Sequence, residues 1–151
     1  MNENEMRALI ETHGAGEMER DWNAALATMT DDFVYRFYPY RLQISGSSAI
    51  VELWSRMFAP SGPLRCFDRS VRLPETAQMD QYVNDHSFVR ITSSAFVDED
   101  GQRRTSSHVT RFDFAGDLAC AETLYVDSSL MAYLDHVFDD SFRSLPGVEL
   151  I

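Results

Sequence analysis

Along the first third of the chain, apolar residues recur at spacings of three and four. That periodicity predicts helices over Met6–His13 and Met18–Met29, the second carrying Trp22, Ala25, Leu26 and Met29 on one face. Asp31 and Asp32 close it. Phe33–Tyr38 alternates in the manner of a half-buried strand and stops at Pro39. Gly46, Ser47 and Ser48 then cap a third helix, whose buried stripe is Ile50, Leu53, Trp54, Met57 and Phe58. Pro60 to Pro63 ends it.

From Leu64 the period becomes two. Strands are expected over Leu64–Leu73, Tyr82–Val97, Gln102–Phe114 and Leu118–Val126, with turns at Asp98–Gly101 and Ala115–Asp117. Asp127 to Ser129 caps a closing helix with Leu130, Tyr133, Leu134, Val137 and Phe138 on one side. Helices first and a meander of strands second is an α+β arrangement, with helices on one sheet face. A chain of 151 residues without linker or repeat reads as one domain spanning 1–151.

Composition narrows the function. The formal charge is -11 and the pI near 4.6, so the surface repels phosphate backbones and anionic lipid; neither nucleic acid nor a membrane is an expected partner. No apolar run reaches the roughly 18 to 20 residues of a membrane span, and the N-terminus lacks the pattern of a secretory signal. The expected location is therefore the cytoplasm. Every basic residue is arginine, which removes Schiff-base and P-loop lysine mechanisms. Cys66 and Cys120 have no metal-ligand spacing and read as reduced, Cys120 as a small packed hydrophobe. The histidines do not sit near carboxylates at metal-binding spacing, so no metal and no cofactor is expected.

Several stretches carry a family resemblance. Arg20 to Phe33 looks like the "GDWDALAALFADDF" segment of the nuclear-transport-factor-2-like superfamily, and within it the SnoaL-like polyketide cyclases and ketosteroid isomerases. Gly46 to Ile50 resembles its "G-x-x-A-I" helix start; Phe112 to Phe114, Gly116 to Leu118 and Leu124 to Asp127 resemble its closing hairpin. The likeness runs from about Arg7 to Leu134. It implies a cone: a strongly curved antiparallel sheet with helices on its concave face (the cystatin-like α+β barrel), an apolar cavity between them, and a homodimer through the outer sheet face. It also implies isomerase, cyclase, dehydratase or epoxide-opening chemistry, or binding without catalysis; the fold does not choose.

Strand alternation nominates the chemistry. Leu118, Cys120, Glu122, Leu124 and Val126 share one face, similar by position to the row lining the pocket of ketosteroid isomerases. A carboxyl in that row would be desolvated, its pKa raised and suited to trading protons; the alternative is a bulge that turns Glu122 into water. His108, Thr110, Phe112 and Phe114 share a face of the preceding strand, and the resemblance sets Thr110 where the isomerases stabilise an oxyanion. His108 is a candidate acid–base imidazole or an exposed strand-end residue. His13 falls where the family carries a pocket tyrosine, unless Gly14 and Gly16 break the helix.

The catalytic candidates are thus Glu122, His108 and His13. Tyr35, Phe37, Thr110, Phe112, Leu124 and Trp54 are the candidate substrate contacts, with core packing the other reading of the aromatics. Phe37 stands where the isomerases have their proton-abstracting aspartate, so their usual mechanism is not expected. The leading expectation is a cofactor-free acid–base enzyme (isomerase, cyclase or dehydratase) for an apolar polyketide-, steroid- or terpenoid-like molecule. Second is an epoxide hydrolase, for which Arg36, Arg90 and Arg111 are available but no second pocket carboxylate is seen. Third is a non-catalytic binding module or dimeric adaptor.

Overall fold

The computed structural model describes residues 1–58, 73, 75, 77–97 and 100–151; the expected strand Leu64–Leu73 and Cys66 fall almost wholly outside these. In chain order the elements are α1 (Glu3–Glu19), α2 (Trp22–Leu26), β1 (Met29–Tyr38), β2 (Leu42–Ser45), α3 (Ser47–Met57), β3 (Ala77–Val83), β4 (Ser87–Val97), β5 (Arg103–Ala115), β6 (Leu118–Val126), α4 (Ser128–Leu134), α5 (Asp140–Arg143) and β7 (Val148–Leu150). The strands form one curved sheet in the order β3-β4-β5-β6-β1-β2-β7, with helices at one face. Among the described residues β3 and β7 are its edges, so the sheet they form is open, not a closed barrel. It is also not wholly antiparallel, because β1 and β6 run parallel.

The first helix corrects the sequence expectation. α1 runs unbroken through Gly14 and Gly16. It opens on a capping box, in which Asn2 accepts from the Glu5 N–H while the Glu5 carboxylate accepts from the Asn2 N–H at 2.7 Å. A helical glycine costs only about 1 kcal/mol relative to alanine, less than packing returns. Gly16 is where α2 crosses: a Cβ there would lie 2.7 Å from the Ala25 backbone nitrogen. Met29 is not the end of a helix but the start of β1, and Asp31 and Asp32 sit exposed at an irregularity in its pairing with β6.

Other boundaries shift for local reasons. The expected single strand Tyr82–Val97 is a hairpin; the His86 N–H donates to Asn84 Oδ1 at 2.9 Å and turns the chain between β3 and β4. α3 buries Ile50, Leu53, Trp54 and Met57 as expected, but Gly46 at φ +82° precedes it with no side-chain cap. Asp127 does cap α4, accepting from the Leu130 N–H at 2.9 Å. That helix ends at Leu134; Val137 and Phe138 are buried in the turn beyond, where Phe138 meets the ring of Phe37 at 4.9 Å. β2, α5 and β7 were not anticipated, although Leu42 and Ile44, both buried, show the period-two pattern of a short strand.

Candidate active site

Pairing register builds the site in levels. Tyr35 on β1, Glu122 on β6 and Phe112 on β5 lie side by side; Phe37, Leu124, Thr110 and Arg90 on β4 form the next level, and Val126, His108 and Thr92 the third. The inward face of β6 is set by a bulge. Asp113 pairs with Ala121 but Phe114 pairs with Ala119, so Cys120 is the extra residue. Ala119 takes the core position that alternation assigns to Cys120, and Cys120 is only partly buried. The bulge falls before Glu122 and leaves Glu122 and Leu124 pointing inward.

Between this face, α1 and α3 lies a cavity of about 550 Å³. Glu122, His108, His13, Tyr35, Phe37, Thr110, Phe112, Leu124 and Trp54 all line it. Of the three strand arginines, Arg90 reaches the cavity. Arg111 is held by Asp113 at 2.7 Å with half its side chain exposed, and Arg36 donates to Gln43 at 3.1 Å. His86 and His136 are exposed.

At the inner end a polar cluster gathers around His13, whose side chain is 3% exposed. Its Nδ1 is 2.8 Å from Thr28 Oγ1, and its Nε2 is 2.9 Å from the Tyr35 hydroxyl, 3.3 Å from Glu17 Oε1 and 3.7 Å from Glu122 Oε2. The Tyr35 hydroxyl donates to Glu17 at 2.7 Å and accepts from Trp54 Nε1 at 3.1 Å. Glu122 Oε2 is buried and makes no hydrogen bond.

Burial, which penalises the carboxylate, pushes the Glu122 pKa up; Glu17 adds to the rise and His13 opposes it. Burial draws His13 down, but Glu17 and Glu122 outweigh it and raise the imidazole from 6.5 to about 10. Burial, with the two carboxylates, holds the Tyr35 phenol well above its ordinary range, so it is a neutral donor.

Glu17 escaped the sequence reading, and its position corrects two expectations. A second carboxylate does face the pocket, and a histidine does sit with carboxylates. The donor atoms of His13, Glu17 and Glu122 all lie within 4.8 Å of one another, a set that could take a metal ion. The signal was the i, i+4 spacing of His13 and Glu17 on one helix face, hidden by reading the two glycines as a break.

A family model for the SnoaL-like domain matches residues 9–122. No curated protein matches the sequence. Among solved structures, a putative polyketide cyclase from Xanthomonas campestris pv. campestris aligns over 91% of this chain and 99% of its own, with a TM-score of 0.60 and 16% identity. An NTF2-like protein from Burkholderia xenovorans LB400 aligns over 87% and 96% with a TM-score of 0.62 and 12% identity. An LEH-like epoxide hydrolase from M. tuberculosis aligns over 87% and 90%, with a TM-score of 0.58 and 15% identity. At these identities the likeness establishes the fold alone. Together with the family match across most of its length, it makes this chain a member of the SnoaL-like domain family.

Proposed function

We propose that this protein is a cofactor-free acid–base enzyme of isomerase, cyclase or dehydratase type, acting on a hydrophobic small molecule of polyketide, steroid or terpenoid kind. One observation carries the reading: Glu122 is a buried carboxyl whose Oε2 has no hydrogen bond and lines a cavity where apolar side chains such as Ile10, Phe37 and Met57 share the walls with polar ones. Burial raises the pKa of such a group, and it has an oxygen left over for a ligand. The cavity volume suits a molecule of drug size.

In the proposed reaction Glu122 takes a proton from an activated C–H of the ligand. The bond's electron pair stays on the ligand and develops as an oxyanion, and the proton is returned at another atom. Thr110, one level along β5 and about 7 Å away by strand rise, is near enough to offer its hydroxyl to that oxygen. His108 is a further level on, about 14 Å from Glu122 along the strand, and suits the distal end of an elongated ligand.

The test begins with a library of apolar ligands. Saturable quenching of Trp54, which lines the cavity with Trp22 stacked on it at 5.7 Å, identifies binders. Exchange of ligand C–H for deuterium in D2O then reads proton abstraction. Glu122→Gln is expected to abolish exchange while the protein stays folded; undiminished exchange in that variant removes Glu122 from the chemistry.

A second reading, hydrolytic epoxide opening, gains from the paired carboxylates Glu17 and Glu122 and from Arg90 on the same cavity. It predicts a diol carrying one oxygen from labelled water. For assembly we propose a homodimer through the outer sheet face, where Tyr125 is half-exposed and stacks on Tyr38 at 5.0 Å; light scattering tests it.

A further inference from the structure

The inner face of β4 and β5 changes character along its length. At the level of Glu122 it is aromatic, Phe88 pairing with Phe112. The next three inward pairs are polar throughout: Arg90 with Thr110, Thr92 with His108, and Ser94 with Ser106. All of these but the half-buried Arg90 are buried. Inward positions on neighbouring strands are ordinarily apolar, because burying polar groups costs free energy unless they find partners. Arg90, His108 and Thr110 bring this polar block to the wall of the cavity that Glu122 lines. Among the described residues Arg90 is the only arginine on that wall, and the chain has no lysine.

From this placement we propose that Arg90 anchors a carboxylate carried by the ligand, so that the substrate class is an apolar carboxylic acid and not a neutral apolar molecule. The inference deepens the proposed acid–base function and rests on it for the part played by Glu122. A guanidinium presents five N–H donors in a planar fork that matches a carboxylate, so it can hold a ligand together with partners inside the protein. Charge also fixes which way round the ligand lies. Glu17 and Glu122 stand together on the cavity wall and repel a second carboxylate, while Arg90 attracts one. The net charge of -11 opposes entry only weakly, since physiological salt screens exposed charges beyond about 8 Å. Arg90 and Glu122 are one level and two strands apart, about 12 Å between backbones by strand rise and spacing. A ligand of a few fused rings spans that gap with its acid on Arg90 and its reacting C–H at Glu122.

Matched probes of the same shape, with and without the charge, test this. Benzoate, 2-naphthoate and abietate, each paired with its neutral amide, are titrated into the full-length protein by calorimetry at neutral pH. In the best-binding pair the acid is expected to bind at least about tenfold more tightly than the amide. Arg90→Gln should erase that preference by weakening the acid while the amide is little changed, and Arg90→Lys should recover part of it. NMR of wild-type protein with isotope-labelled arginine locates the contact: the side-chain signal missing from Arg90→Lys should shift with the acid and hold still with the amide. Amides that bind as well as their acids, three acids that all fail to bind, or a preference that survives in folded Arg90→Gln each overturn the proposal. Should Arg90→Gln not fold, the wild-type preference and the arginine signal still decide. These readouts need no turnover, so a failure here leaves the exchange test of Glu122 standing, and a failed exchange test leaves the acid preference to be measured.

Discussion

Glu122 on β6 and His13 on α1 approach within 3.7 Å across the cavity, a strand carboxylate facing a helical imidazole 109 positions earlier in the chain. Both titrate away from their usual values, and in the same sense. The consequences extend from folding stability to ligand binding.

Stability is expected to fall on the alkaline side. His13 is raised from 6.5 to about 10, so its contribution is complete below pH 6.5 and is lost as pH climbs through about 10. Glu122 is also raised, so its ionisation draws stability down in the same direction. Thermal unfolding across that window should show a declining Tm, flattened in His13→Gln. A Tm level from pH 6.5 to 10 in the wild type contradicts the shifts.

Gly14 and Gly16 should respond oppositely to alanine. A Cβ on Gly14 meets nothing within 4 Å, so Gly14→Ala is expected to stabilise by about 0.5–1 kcal/mol through helix propensity. On Gly16 it would press on Ala25 at 2.7 Å, and Gly16→Ala should cost on the order of 1–3 kcal/mol as α2 is pushed away. Chemical denaturation of the pair measures both signs.

Thr28→Val preserves shape and removes the acceptor for His13 Nδ1. Leaving that buried group unsatisfied should cost about 1–3 kcal/mol. A variant as stable as wild type would mean that the ring finds another partner.

Leu124→Trp tests whether the cavity is a working space. Leu124 is 7% exposed and lines it one level from Glu122. The larger ring should lower ligand affinity at least about tenfold while the fold survives, overpacking being tolerated at a site that opens on empty volume. Ligands that bind equally well occupy some other surface.

Local pattern was a good guide wherever one face of one element decided the outcome. The buried stripe of α3, the inward row of β5, the Asp127 cap and the turn before β6 follow from periodicity and capping chemistry over a few residues. So does the inward aim of Tyr35, Phe37, Thr110 and Phe112, since alternation fixes which side of a strand each side chain takes. Glu122 faces inward, one of the two orientations that alternation left open, because the bulge at Cys120 precedes it.

Contacts between distant segments were out of reach of that reasoning. Nothing in Met29–Tyr38 announces that β1 will lie parallel to β6 and set Tyr35 beside Glu122. Nor does periodicity reveal that α1 continues through two glycines, because the close crossing that rewards Gly16 belongs to α2. Composition and spacing supplied the individual side chains and their faces. The meeting of His13, Glu17 and Glu122 came from packing a helix across a curved sheet, and only that packing removes the water that would otherwise keep their charges apart.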